Sequence, residues 1–154
     1  MHRLFLSLVL FLSACQPLIQ EQQKAIPISS STTTVTFVID GDTVVTTVGT
    51  VRLVGIDAPE KGDCGYEEAG ERLRALVDKK EVTLVDDAKQ PDRDNYGRLL
   101  RYVEKDGEDA GEALIREGFV SAFPWIPSDR LSVYRALELK AKEKGIGVLW
   151  RQCR

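Results

Sequence analysis

Histidine is almost missing from this chain: 154 residues contain one, and it is His2. That position matters, because the first residues read as an export signal rather than as part of a fold. Met1-His2-Arg3 makes a basic start, and Leu4 to Leu12 is a nearly unbroken apolar run. A run of about nine residues is too short for a bilayer core of roughly 30 Å. Removing this segment leaves no histidine. Ser-His-Asp and Cys-His catalysis, any histidine general base and any His-ligated zinc site are then excluded. The remaining chemistry must come from carboxylates, lysine, tyrosine, arginine or a hard metal ion.

A large charge of either sign is also lacking. Lys and Arg number 21 against 24 Asp and Glu, a net charge of -3. Such a chain is not built for indiscriminate adhesion to polyanions, so any positive charge that serves such a partner must be local or brought by a bound cation. Internal repeats are absent. The length suits one domain with a short additional segment.

Cysteine is scarce, and its three positions divide by role. Leu12-Ser13-Ala14-Cys15 reads as a bacterial lipobox, in which Cys15 is lipidated and becomes the mature N-terminus; an ordinary signal peptide with a chance cysteine is the alternative. The expectation is an exported, membrane-anchored lipoprotein facing the periplasm or the cell exterior, with residues 1–14 as signal peptide. Setting Cys15 aside leaves Cys64 and Cys153, which can pair as a disulfide outside the cytosol or stay as two free thiols.

Residues 16 to 32 are polar, carry Pro17 and Pro27, and read as a flexible tether behind Cys15. The folded domain is expected over 33–154. Thr33 to Val38, Thr43 to Val48, Val51 to Ile56, Glu81 to Val85 and Arg98 to Val103 read as strands. Tyr66 to Lys79, Ala110 to Glu117 and Leu131 to Lys144 read as helices, the last two stopping at Gly118 and Gly145. This is an α+β pattern, and a five-stranded OB-type Greek-key β-barrel with three helices fits it.

Three stretches carry candidate chemistry: Val38-Ile39-Asp40-Gly41-Asp42-Thr43, Val51 through Glu60, and Asp94-Asn95-Tyr96-Gly97-Arg98-Leu99-Leu100. Each has a plain structural explanation: a hairpin turn, a strand end leading to a helix, a turn into a strand. Together, and in this order, they resemble the active-site stretches of the staphylococcal (micrococcal) nuclease-like family. The likeness runs from about Thr33 to Trp150 and includes Glu-Ala-Leu-Ile-Arg-Glu-Gly at 112–118.

The resemblance implies a calcium-dependent endonuclease that hydrolyses phosphodiester bonds of DNA and/or RNA with little sequence specificity, acting as a monomer. It assigns Asp42 and Asp57 as calcium-binding carboxylates with the Ala58 carbonyl as a further ligand, and Asp40 as an acid beside the metal-bound water. It makes Glu60 the general base and Arg52 and Arg98 the arginines that hold the reacting phosphate. Tyr96 would contact substrate. The chain departs from the family pattern at Asn95, where a basic residue is usual, and at the nucleotide pocket, where Phe123 or Trp125 would supply stacking. A catalytically silent OB-fold nucleic-acid or envelope interaction module is the alternative. Hard oxygen ligands suit calcium, and an arginine fork suits the equatorial oxygens of a phosphate under attack.

One geometric demand follows. Arg52 and Asp57 are five positions apart, so a regular strand would point them to opposite faces. The strand must break, and Gly55 is the expected place.

Overall fold

A computed structural model of the chain describes residues 29–153; the expected signal peptide, Cys15 and most of the expected tether lie outside them. The elements in chain order are β1 (Ser30–Val38), β2 (Thr43–Thr46), β3 (Gly49–Leu53), β4 (Ile56–Asp57), α1 (Tyr66–Val77), β5 (Glu81–Asp86), β6 (Leu99–Lys105), β7 (Glu108–Asp109), α2 (Ala110–Arg116), β8 (Ser121–Ala122), α3 (Leu131–Lys144) and α4 (Gly147–Arg151).

The main sheet runs β3-β2-β1-β5-β6-β7, and a further pairing of β3 with β6 closes it into a five-stranded barrel of the OB type. All pairings in this sheet are antiparallel except the closing one, where Val51, Arg52 and Leu53 lie opposite Leu99, Leu100 and Arg101 in parallel. β1 forms a barrel corner. Its first half, from Ser30, pairs with β5, and its second half pairs with β2. The register slips between Val35 and Phe37. This bulge resets the inside-outside alternation, so Val35 and Val38, three positions apart, are both buried while Phe37 faces out.

The barrel interior is filled by Val35, Val38, Val44, Val51, Leu53, Leu84 and Val103. One end is plugged by α1, which turns Ala69, Leu73 and Val77 inward at successive four-residue steps. Asp109 caps α2 by accepting from the Gly111 amide at 2.8 Å. The α3 end is fixed by polar groups. Tyr102 donates its hydroxyl to Asp87 and receives the Arg130 amide at 3.1 Å, while Arg130 Nη1 reaches Asp109 at 2.6 Å. Burial and the Asp87 bond push the Tyr102 phenol well above its ordinary range, so it stays a donor.

The expected strands and helices are present with shifted ends. β1 begins at Ser30 rather than Thr33, since Ser30 to Thr32 are carried into the ladder by Val85 to Thr83. β2 ends at Thr46 because the Thr46 hydroxyl donates to the Gly49 carbonyl at 2.8 Å and accepts the Val48 amide, closing a tight turn. Four helices stand among the described residues rather than three, because α4 is too short to show a helical period. The expected strand Val51 to Ile56 is broken at Gly55, which has φ 79°. The Val54 amide still donates to the Arg101 carbonyl at 3.0 Å, continuing the parallel pairing of Leu53 with Arg101 up to the break.

Candidate active site

The break at Gly55 brings Arg52 to Asp57. β3 delivers Arg52 at the barrel seam, and after the turn β4 delivers Asp57. Arg52 is held by its own turn: Nη1 donates to the Leu53 carbonyl at 2.7 Å and Nη2 to the Ile56 carbonyl at 3.0 Å. The same Nη2 lies 3.0 Å from Asp42 Oδ2 and 3.8 Å from Asp57 Oδ1. One cationic atom therefore stands between both carboxylates.

Asp42 comes from the turn between β1 and β2. Its backbone amide is received by Asp40 Oδ1 at 3.1 Å, and its carbonyl accepts the Leu53 amide at 2.8 Å, which ties the turn to β3. Gly41 allows the turn to sit tightly. A Cβ there would stand 2.7 Å from that of Ala69 on α1 and 2.8 Å from that of Ala58. Asp42 is buried, with 7% of the residue exposed. It accepts the Thr43 hydroxyl at 2.9 Å and the Ala58 amide at 3.0 Å. Burial, despite Arg52 and with help from Asp40, pushes its pKa up to about 6. Asp57 is exposed, and Ala58 is buried between it and Asp42.

These residues can be tested against a hard cation. Among the described residues no three Asp, Glu, His or Cys side chains cluster as a metal cage. The set offers two convergent carboxylates, those of Asp42 and Asp57, with Asp40 hydrogen-bonded to the same turn. Their shared positive neighbour is the Arg52 guanidinium. A cation with oxygen ligands supplied partly by backbone and water suits such a half-built shell.

Arg98 stands just before β6, across the parallel seam from Arg52. Its Nε donates to Asp94 Oδ2 at 2.7 Å, and Asp94 Oδ1 also accepts the amides of Tyr96 and Arg98 at 2.9 and 3.0 Å. Burial pushes the Asp94 carboxyl up, but these bonds outweigh it and hold it below the usual carboxylate range. The Arg98 guanidinium lies 5.4 Å from the Tyr96 ring centroid. Its terminal nitrogens donate no hydrogen bond among the described residues and remain available to an anion.

A cleft of about 260 Å³ is lined by Arg52, Asn95, Tyr96, Arg98 and Phe123, with Leu100, Ile126, Gln90 and Ser128 beneath and beside them. Phe123 reaches it because β8 pairs with β4 and the Phe123 amide donates to the Gly55 carbonyl at 2.9 Å. Trp125, the other expected stacking residue, does not line this cleft and is 82% exposed. The stretch after Ala122 leaves the strand, so residues 123 and 125 no longer share a face. Glu60 is exposed and lines an adjoining hollow with Asp57, Ala58, Asp63, Ser121, Trp150 and the Cys64–Cys153 disulfide. Asp57, facing Arg52 at 3.8 Å, connects the two hollows.

Asp94 opens the third of the stretches read in the sequence, but no role was assigned to it there. Its position four before Arg98, with Gly97 between, is the signal that could have marked it as the arginine's anchor.

The family described as staphylococcal nuclease homologue matches residues 50–152. Arg52, Asp57, Ala58, Glu60, Tyr96 and Arg98 fall inside that span, while Asp40 and Asp42 precede it. The SPbeta prophage-derived endonuclease YokF of Bacillus subtilis is 34% identical over 122 residues, covering 71% of this chain and 41% of that protein. Endonuclease YncB of the same organism is also 34% identical over 122 residues, covering 71% and 57%. Protein ParB of Escherichia coli is 34% identical over 126 residues, covering 73% and 68%. The chain thus spans about half the length of the two Bacillus endonucleases. With the match covering about two thirds of its length and the barrel closed as described, this chain belongs to the staphylococcal nuclease homologue family.

Proposed function

We propose that the protein is a calcium-dependent endonuclease that hydrolyses phosphodiester bonds of DNA and/or RNA with little sequence specificity. The observation that carries this reading is the seam between β3 and β6. It sets Arg52 and Arg98 on one cleft, while Arg52 Nη2 also lies between Asp42 and Asp57.

In this reading the scissile phosphate lies between Arg52 and Arg98, and Phe123 and Tyr96 hold the neighbouring nucleotide. Arg98, oriented by Asp94, donates to the equatorial oxygens as they gain charge; such donors are often worth about 3–4 kcal/mol. Asp42, Asp57 and the Ala58 carbonyl would hold calcium, with Asp40 beside its water. Calcium, when bound, supplies charge neutralisation of the phosphate and a more acidic water. Glu60 takes the proton from the attacking water. The electron pair of the breaking P–O bond stays on the leaving oxygen, which is protonated from solvent.

The acidic balance of the chain favours a second reading, a catalytically silent OB-fold interaction module. One assay separates them. The protein from Gln16 onward is incubated with plasmid DNA and with RNA, in millimolar calcium or in chelator. The nuclease reading expects cleavage that needs calcium and is lost in Glu60→Ala and Arg98→Ala. No cleavage by the folded wild type would overturn it.

Export and a lipid anchor on Cys15 belong to the same proposal. They are supported by the Leu12-Ser13-Ala14-Cys15 pattern and by a disulfide of the kind that oxidising compartments sustain. Metabolic labelling with a fatty acid, lost in Cys15→Ser, tests the anchor.

A further inference from the structure

The segment between Ala58 and α1 carries Glu60, and little of it is tied down by its own bonds. The Asp63 amide donates to the Glu60 carbonyl at 2.8 Å and the Tyr66 amide to the Asp63 carbonyl at 3.3 Å. Glu60, Lys61 and Asp63 are exposed, and none of their side chains makes a hydrogen bond or ion pair among the described residues. Two contacts hold the segment from outside. Gly65 packs so closely that a Cβ there would lie 3.2 Å from Val148, 3.3 Å from Leu149 and 3.4 Å from Pro59. The second is covalent: Cys64 is bonded to Cys153, just past α4.

α4 is itself fixed to the core. The Leu149 amide donates to the Gly118 carbonyl at 3.1 Å, and Val148 is 5% exposed. The disulfide thus connects a loosely bonded turn to an anchored helix, four residues from Glu60. It also borders the same hollow as Glu60 and Asp57, with Cys64 exposed there.

We infer that the Cys64–Cys153 disulfide is a positioning element for Glu60, so that its reduction lowers turnover while leaving the Arg52–Arg98 cleft able to bind substrate. The inference rests on Glu60 acting as the base of the proposed reaction. The chemical step is simple. A dithiol gives up two electrons and two protons, closes to its own disulfide, and leaves Cys64 and Cys153 as thiols. The cysteines touch no reacting atom; they act through the turn. Once freed, the turn samples positions in which the carboxylate no longer faces the attacking water. Misplacement by about 1 Å can cost roughly a hundredfold in rate.

The test compares the oxidised protein, the protein treated with a small dithiol, and the Cys64→Ser/Cys153→Ser double variant. Cleavage of a fluorescent oligonucleotide in calcium is measured well below the melting transition of all three. The expected result is a fall in kcat of about ten- to a hundredfold on reduction, with KM within about twofold of the oxidised value. Reoxidation restores kcat, and the double variant starts low and ignores the dithiol. A bond that merely stabilises the fold would change the melting temperature and leave kcat alone, and that result would overturn the inference. So would a loss expressed in KM.

Hydrogen exchange at the Asp63 and Tyr66 amides supplies a reading independent of catalysis. Exchange should speed up on reduction there and not in the β3–β6 seam. Unchanged exchange overturns the inference whether or not the protein cleaves. An oxidised protein that never cleaves, with faster exchange on reduction, instead overturns the assignment of Glu60 as a base.

Discussion

Replacing Gly55 by alanine tests how the site is assembled, and its cost can be worked from the structure. Gly55 has φ 79°, where an L-residue is strained by roughly 1–2 kcal/mol. Alanine offsets about 0.4–1 kcal/mol of that by restricting the unfolded chain. The new Cβ would also lie 3.1 Å from Ser128 Oγ and 3.1 and 3.2 Å from two carbons of the Tyr134 ring. Tyr134 cannot easily yield: it is fully buried, its hydroxyl is bound to Asp109, and its ring meets Tyr102 edge-on at 6.2 Å. Overpacking of this sort typically costs about 1–3 kcal/mol. Gly107, in the turn between β6 and β7, is the control. Its φ is 82°, and nothing lies within 4 Å of a Cβ there. Urea unfolding should show Gly107→Ala destabilised by about 1 kcal/mol or less and Gly55→Ala by about 2–4 kcal/mol, with unchanged m-values. Gly55→Ala should also lose about ten- to a hundredfold in kcat, because Asp57 moves relative to Arg52, while Gly107→Ala stays active. Equal destabilisation of the two variants, or a destabilised Gly55→Ala with full activity, would refute the reasoning.

Asp42 gives a pH signature. Its native pKa, raised by burial to about 6 from 3.8, means the folded state binds the proton more tightly than the unfolded state. The calcium-free protein should therefore lose stability as pH rises across that interval and stay less stable above it. Asp42→Asn should flatten this slope and raise the stability of the calcium-free protein at neutral pH, while abolishing calcium-dependent cleavage; an unchanged slope in unfolding titrations counts against it. Asp94→Asn weakens the charged bond to Arg98 and should lower kcat/KM by about ten- to a hundredfold, with binding of inactive substrate analogues measured alongside; wild-type turnover would remove Asp94 from the site. Phe123→Ala should raise KM by about tenfold and Trp125→Ala should not, and the reverse pattern in steady-state kinetics would contradict the placement of these aromatics.

Much of the site was legible because parity is arithmetic. Five positions separate Arg52 from Asp57, and a glycine falls between them, so the break could be read before the fold was known. The β1 bulge could not. Val35, Thr36 and Phe37 are all good strand formers, and only the pairing with Val45 and Thr46 shows where the ladder slips. The choice between Phe123 and Trp125 was likewise hidden, since it depends on β8 meeting β4 across more than sixty residues of chain. α4 is visible mainly through tertiary contacts with Gly65 and Gly118. Asp94 escaped notice for a different reason: its side chain turns back onto its own loop, a bond that leaves no periodic trace in sequence.

The parallel seam between β3 and β6 also constrains the order of events during folding. The hairpin of β2 and β3 and the helix α1 can form from near neighbours. The seam cannot, because β6 reaches β3 only after the intervening chain has been laid down, and long loop closures are slow. Arg52 and Arg98 sit on opposite sides of that joint. A chain that has its secondary structure but an open barrel holds two arginines that do not yet share an anion. On the proposed reading, cleavage therefore depends on completion of the fold rather than on its beginnings, and in refolding it should return after the far-ultraviolet signal, together with barrel closure.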